Sequence, residues 1–139
     1  MKEALIRYLE EELGARVIDC GAFSTNPVDY PDIAEAVARR VAEGKATRGI
    51  AIDGAGIGSC MAANRIAGAR AAVCHDDRSA KNSREHNDAN VLCLGAGLVP
   101  VGQARRIVRI WLSEPFGGGR HQKRVDKITR LEGRESNDA

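Results

Sequence analysis

A chain of 139 residues with a net charge of +2 has room for one core and too little positive charge to argue for nucleic acid. Its 43% hydrophobic and 29% charged residues suit a water-soluble domain, and no apolar run is long enough to span a bilayer. Aromatics are only 4%, which calls for an aliphatic, alanine-rich core, and Cys20, Cys60, Cys74 and Cys93 form no C-x-x-C pair, which argues against zinc and for a reducing, cytoplasmic setting.

In MKEALIRYLEEEL, Leu5, Ile6, Leu9 and Leu13 follow helical spacing, and Gly14 ends that helix. RVIDC (16–20) is a short β-branched run and predicts a strand; GAFSTNPVDYP (21–31) reads as a loop. Residues 31–43 predict a helix with Pro31 near its start, where the missing N–H costs little. RGIAID (48–53) predicts a buried strand, followed by a glycine loop and a helix through about Asn64. ARAAVC (69–74) predicts a strand, 78–87 a short helix and NVLCLG (90–95) another strand. Residues 101–112 predict a helix with Ile107, Val108, Ile110, Trp111 and Leu112 available to the core. After the hinge FGGG comes a last basic helix, RHQKRVDKITRLE, and then a polar stretch expected to fray. One domain over 1–131 and a polar tail over 132–139 result, without internal repeat. Strands alternating with helices imply a parallel sheet covered on both faces, and such sheets bind ligands at the carboxyl ends of their strands.

The stretch IAIDGAGIGSCMAANR (50–65) places Asp53 at one such end. Gly54, Gly56 and Gly58 let the chain turn tightly and expose N–H groups, and the helix that follows adds the positive end of its dipole. One reading is a tight turn with no ligand. A second is a dinucleotide site, with Asp76 ending the next strand as a ribose-binding acid would; the third glycine falls one place early, and Asp53 would repel a pyrophosphate. A third reading uses the carboxylate. If the amides stabilise an enediolate, Asp53 can take the carbon-bound proton and become neutral as the substrate oxygen becomes negative, so the charge of the site is unchanged.

Four segments, VDYPD (28–32), GAGIGSCMAANR (54–65), SREHNDANVLCLGA (83–96) and GGRHQKRV (118–125), resemble the type B ribose-5-phosphate isomerase family, which includes galactose-6-phosphate isomerase subunits. The resemblance runs from Met1 to about Leu131. It implies an aldose–ketose isomerase of phosphosugars working through a cis-enediolate, without metal or organic cofactor. It implies a three-layer α/β/α, Rossmann-like fold with five parallel strands, in dimers or tetramers whose active sites lie between subunits. By the same resemblance, Gly54, Ala55, Gly56, Ile57 and Gly58 form the anion-binding loop, and His86 opens the sugar ring. Asn87 binds substrate, and Arg120 and Arg124 hold the phosphate across a dimer interface. The two arginines, four apart, share a helix face, and two guanidinium forks suit a phosphate dianion. Their simpler reading is a solvated basic face, since Lys123, Lys127 and Arg130 are on the same helix. His75 and His121 receive no role.

The chain departs from the family in three ways. Asp53 stands where the family usually has a cysteine as base; Cys60 and Ser59, on the following helix, are poor substitutes. The family's first strand, which ends in a Ser-Asp-His-Ala-Gly type motif and would lie between RVIDC and RGIAID, is absent, and the expectation is that it is encoded upstream of Met1. Gly97 replaces a substrate-binding arginine. The leading expectation is a phosphosugar isomerase with Asp53 as base and His86 as ring-opening acid/base. The alternative is a catalytically inactive phosphosugar-binding subunit of a hetero-oligomer.

Overall fold

The computed structural model describes residues 1–21 and 28–137, with side chains through Glu132. Most of the loop expected over 21–31 therefore lies outside the described residues. In chain order the elements are α1 (Lys2–Glu11), α2 (Tyr30–Ala42), β1 (Gly49–Asp53), α3 (Ile57–Ala63), β2 (Ala71–Val73), α4 (Asp77–Glu85), β3 (Val91–Gly95), α5 (Val101–Ser113) and α6 (Arg120–Asn137).

The strands form one parallel sheet in the order β1-β3-β2, with Gly49 opposite Val91, Asp53 opposite Gly95 and Ala71 opposite Val91. Every residue of β3 is buried, as a central strand covered on both faces requires. Its side chains alternate between two cores. Leu92 and Leu94 join Leu5 and Leu9 of α1 and Ala104, Ile107, Val108 and Trp111 of α5. Val91 and Cys93 join Val37 and Ala38 of α2 and Ala63 of α3. The result is the expected α/β/α layering. Trp111 supplies aromatic bulk to the first core, with the Arg48 guanidinium 5.2 Å above its ring and donating to its carbonyl at 3.0 Å.

Two expectations are corrected. RVIDC (16–20) is not a strand: it belongs to no ladder, and Ile18 is 45% exposed. Val17 still packs on the first core and Cys20 on the second. A β-branched run becomes a strand only when a neighbouring backbone offers donors and acceptors, and β1 pairs with β3 alone among the described residues. The final helix does not stop near Glu132; its backbone continues to Asn137. All four cysteines are free thiols, and among the described residues no helix is long and apolar enough to cross a membrane.

Candidate active site

The pairing of β1 with β3 brings two loops together at the carboxyl ends of the strands. Asp53 and Gly95 are in register, Ala96 N–H donates to the Asp53 carbonyl at 2.8 Å, and Gly97 N–H donates to the Gly54 carbonyl at 2.9 Å. The approach is close enough that a Cβ on Gly95 would stand 2.6 Å from the carbonyl carbon of Ala55. Gly56, with φ of 80°, makes the left-handed turn that starts α3. Gly97, where the resemblance implied a lost arginine, serves the loop instead: a Cβ there would lie 3.0 Å from the Gly54 carbonyl oxygen.

The Asp53 side chain folds back onto the start of α3. Its Oδ1 accepts a short hydrogen bond from Gly56 N–H. Its Oδ2 accepts from Ser59 N–H at 3.1 Å and from Ser59 O–H at 2.8 Å. A carboxylate at a helix N-terminus meets both unpaired amides and the positive end of the dipole. Of the loop amides expected to face substrate, that of Gly56 is taken by the protein itself. Ala55, Ile57 and Gly58 N–H groups have no acceptor among the described residues. The Tyr30 ring, from VDYPD, fills the space a side chain at Gly58 would need, so an aromatic edge stands over the loop. Neither Tyr30 nor the Ser59 grip on Asp53 carries a signal in the local sequence.

Cys60 faces elsewhere. Its Sγ meets the Ala71 carbonyl at 3.4 Å, and the neighbouring Cys93 thiol holds its pKa below the ordinary thiol value. Asp76, weighed above as a ribose ligand, is occupied as the cap of α4. It accepts from Ser79 N–H at 2.7 Å, a bond that also lowers its carboxyl below the ordinary range.

A second group forms where α4 ends and α6 begins. Gly117 N–H donates to the Glu85 carbonyl at 2.9 Å, anchoring the hinge to α4. His86 caps the C-terminus of α4, and its ring stacks on that of His121 with centroids 4.2 Å apart. Its Nδ1 lies 3.1 Å from Asn82 Nδ2 and its Nε2 3.3 Å from Glu85 Oε1. The stacking drew on a histidine to which the sequence gave no signal beyond its place between two arginines. His121 is held below the usual histidine value, first by desolvation and then by the charges of His86, Arg120 and Arg124. Arg120 and Arg124 are exposed on the first turns of α6, and neither pairs with a carboxylate among the described residues. Asn87 donates to Asn82 Oδ1 at 3.1 Å and so is turned toward α4. No hydrogen bond or ring contact joins this group to the Asp53 loop among the described residues.

The family model described as Ribose/Galactose Isomerase matches residues 1–128. Ribose-5-phosphate isomerase B of Escherichia coli (strain K12) is 45% identical over 136 residues, covering 98% of this chain and 91% of that protein. D-erythrulose-4-phosphate isomerase of Pectobacterium atrosepticum is 39% identical over 137 residues, covering 97% of this chain and 89% of the other. The solved structure of Clostridium thermocellum ribose-5-phosphate isomerase B aligns with a TM-score of 0.93 at 45% identity, covering 96% of this chain and 90% of that one.

Proposed function

Because the chain belongs to the ribose/galactose isomerase family, we propose that it interconverts an aldose phosphate and its ketose phosphate through a cis-enediolate, with Asp53 as the base. The family supports sugar-phosphate isomerisation as the activity. The observation that carries the mechanism is the Asp53 carboxylate fixed beside loop amides that have no acceptor among the described residues.

In this reading His86 moves the proton that opens the sugar ring. Asp53 then takes the hydrogen from C2 of the open aldose, and electrons move toward the carbonyl oxygen. The Ala55, Ile57 and Gly58 amides, with the dipole of α3, meet the oxygen as it becomes negative. Asp53 returns the proton to C1 while the hydroxyl proton passes from O2 to O1, which leaves the ketose with its carbonyl at C2. A free aspartate titrates near 3.9, so it is a weak base in water; proximity and oriented donors must supply the rest. The carboxylate loses its charge as the enediolate gains one, which keeps the cost of charge in the site low.

Arg120 and Arg124 hold the phosphate, and the assembly is a dimer or tetramer in which a neighbouring copy completes the site. Exposed Ile128 and Leu131 on α6 and Met61 on α3 support such a packing. Arg124→Ala is then expected to raise KM about 10- to 100-fold while changing kcat little, since one charge-assisted hydrogen bond contributes roughly 1.5–3 kcal/mol. Steady-state kinetics checks it; an unchanged KM removes Arg124 from the phosphate site.

The test of the function is a panel of ribose, allose, galactose and tetrulose phosphates, turned over in deuterated water. Conversion of one aldose–ketose pair, with solvent deuterium appearing at C1 of the ketose or C2 of the aldose, is the expected result. A ligand that raises the melting temperature without turnover of any pair would overturn it in favour of a binding subunit.

A further inference from the structure

Side-chain hydroxyls on helices ordinarily return their proton to the nearby backbone, and several in this protein do so. Ser83 O–H donates to the Ala80 carbonyl at 2.8 Å, Ser113 O–H to the Arg109 carbonyl at 2.9 Å, and Thr129 O–H to the Val125 carbonyl at 3.2 Å. Ser59 differs. It is 2% exposed, and its hydroxyl leaves its own helix to reach Asp53 Oδ2 at 2.8 Å, while its amide reaches the same oxygen at 3.1 Å.

A carboxylate oxygen offers two lone pairs. Among the described residues two donors saturate Oδ2, whereas Oδ1 receives only Gly56 N–H. We infer that Ser59 is a positioning residue that fixes the Asp53 carboxylate and reserves its Oδ1 for the substrate proton. The inference rests on Asp53 being the base, and it adds which of its atoms does the chemistry and what holds that atom in place. Removing the hydroxyl frees a lone pair on Oδ2 and lets the carboxylate turn about its last torsion. The near-attack geometry is then sampled less often, without loss of any group that touches the substrate.

The experiment compares Ser59→Ala and Ser59→Thr in the full chain, each alone and in the Asp53→Asn background, on the phosphosugar the parent turns over. Ser59→Ala is expected to lower kcat about 10- to 100-fold, with KM within about twofold and a melting temperature close to that of the parent. Ser59→Thr, which keeps the hydroxyl, is expected to recover most of kcat. In the Asp53→Asn background Ser59→Ala should add nothing further. Parental kcat in Ser59→Ala overturns the inference. So does an equal loss in alanine and threonine variants that melt like the parent, or a loss that persists undiminished without the carboxylate. Full activity in Asp53→Asn alone would instead overturn the assignment of the base, so the two failures are distinguishable.

Discussion

Asp53→Asn is expected to cut kcat for isomerisation about 1,000-fold while leaving phosphosugar binding nearly intact, the scale of losing a positioned general base. The substitution is close in shape, so α3 keeps its start. The amide oxygen can still accept from one of the two backbone N–H groups that now hold the carboxylate, Gly56 N–H or Ser59 N–H. Its NH₂ end faces the other donor, a mismatch that costs about 1 kcal/mol of stability. What disappears is the ability to take a proton and to exchange charge with the enediolate. Kinetics together with ligand-induced shifts in melting temperature separates the two effects. Activity within threefold of the parent would remove Asp53 from the mechanism.

Gly95→Ala is expected to destabilise the protein by about 3 kcal/mol and to lower activity as well, although Gly95 supplies no side chain to the site. The added Cβ would lie 2.6 Å from the Ala55 carbonyl carbon and 2.7 Å from its oxygen. Both are main-chain atoms, so no rotamer change relieves the overlap. Either the end of β3 leaves its register with β1 or the 54–56 turn lifts. Both movements strain the Ala96-to-Asp53 bond and shift the amides around the carboxylate. For a domain of this size the shift in melting temperature is on the order of 10 °C. Gly102 in α5 is the control, because a Cβ there meets nothing within 4 Å. Alanine at 102 should be neutral or stabilise slightly through helix propensity. Equal melting temperatures for the two variants would refute the steric account.

Much of the fold was legible from periodicity. The 3.6-residue spacing of Leu5 and Leu9, and of Ile107, Val108 and Trp111, marks buried helix faces that the structure shows, whereas Ile110 and Leu112 are only partly buried and Leu13, beyond the end of α1, is 37% exposed. The run NVLCLG marks a strand, but its central place came from pairing: RGIAID, expected to be the buried strand, lies at the side of the sheet and is only partly buried. The glycine loop was legible too, since glycine density after a strand is a local signal. RVIDC misled, because its composition suits a strand but pairing is a relation between two segments. The long α6 misled in the other direction: the polar residues of GRESNDA carry no apolar spacing, yet the helical backbone runs through Asn137.

Local patterns carry the order and kind of most elements, the carboxylate at the mouth of the loop, and the two arginines on one helix face, because each is written within a few neighbouring residues. Tertiary structure alone decided that Ser59 grips Asp53, that Tyr30 covers Gly58 and that His121 stacks on His86. The physical reason is that a backbone conformation is selected by local sterics and hydrogen bonding. The partner of a side chain depends instead on how distant segments close on one another, and no local pattern encodes that closure.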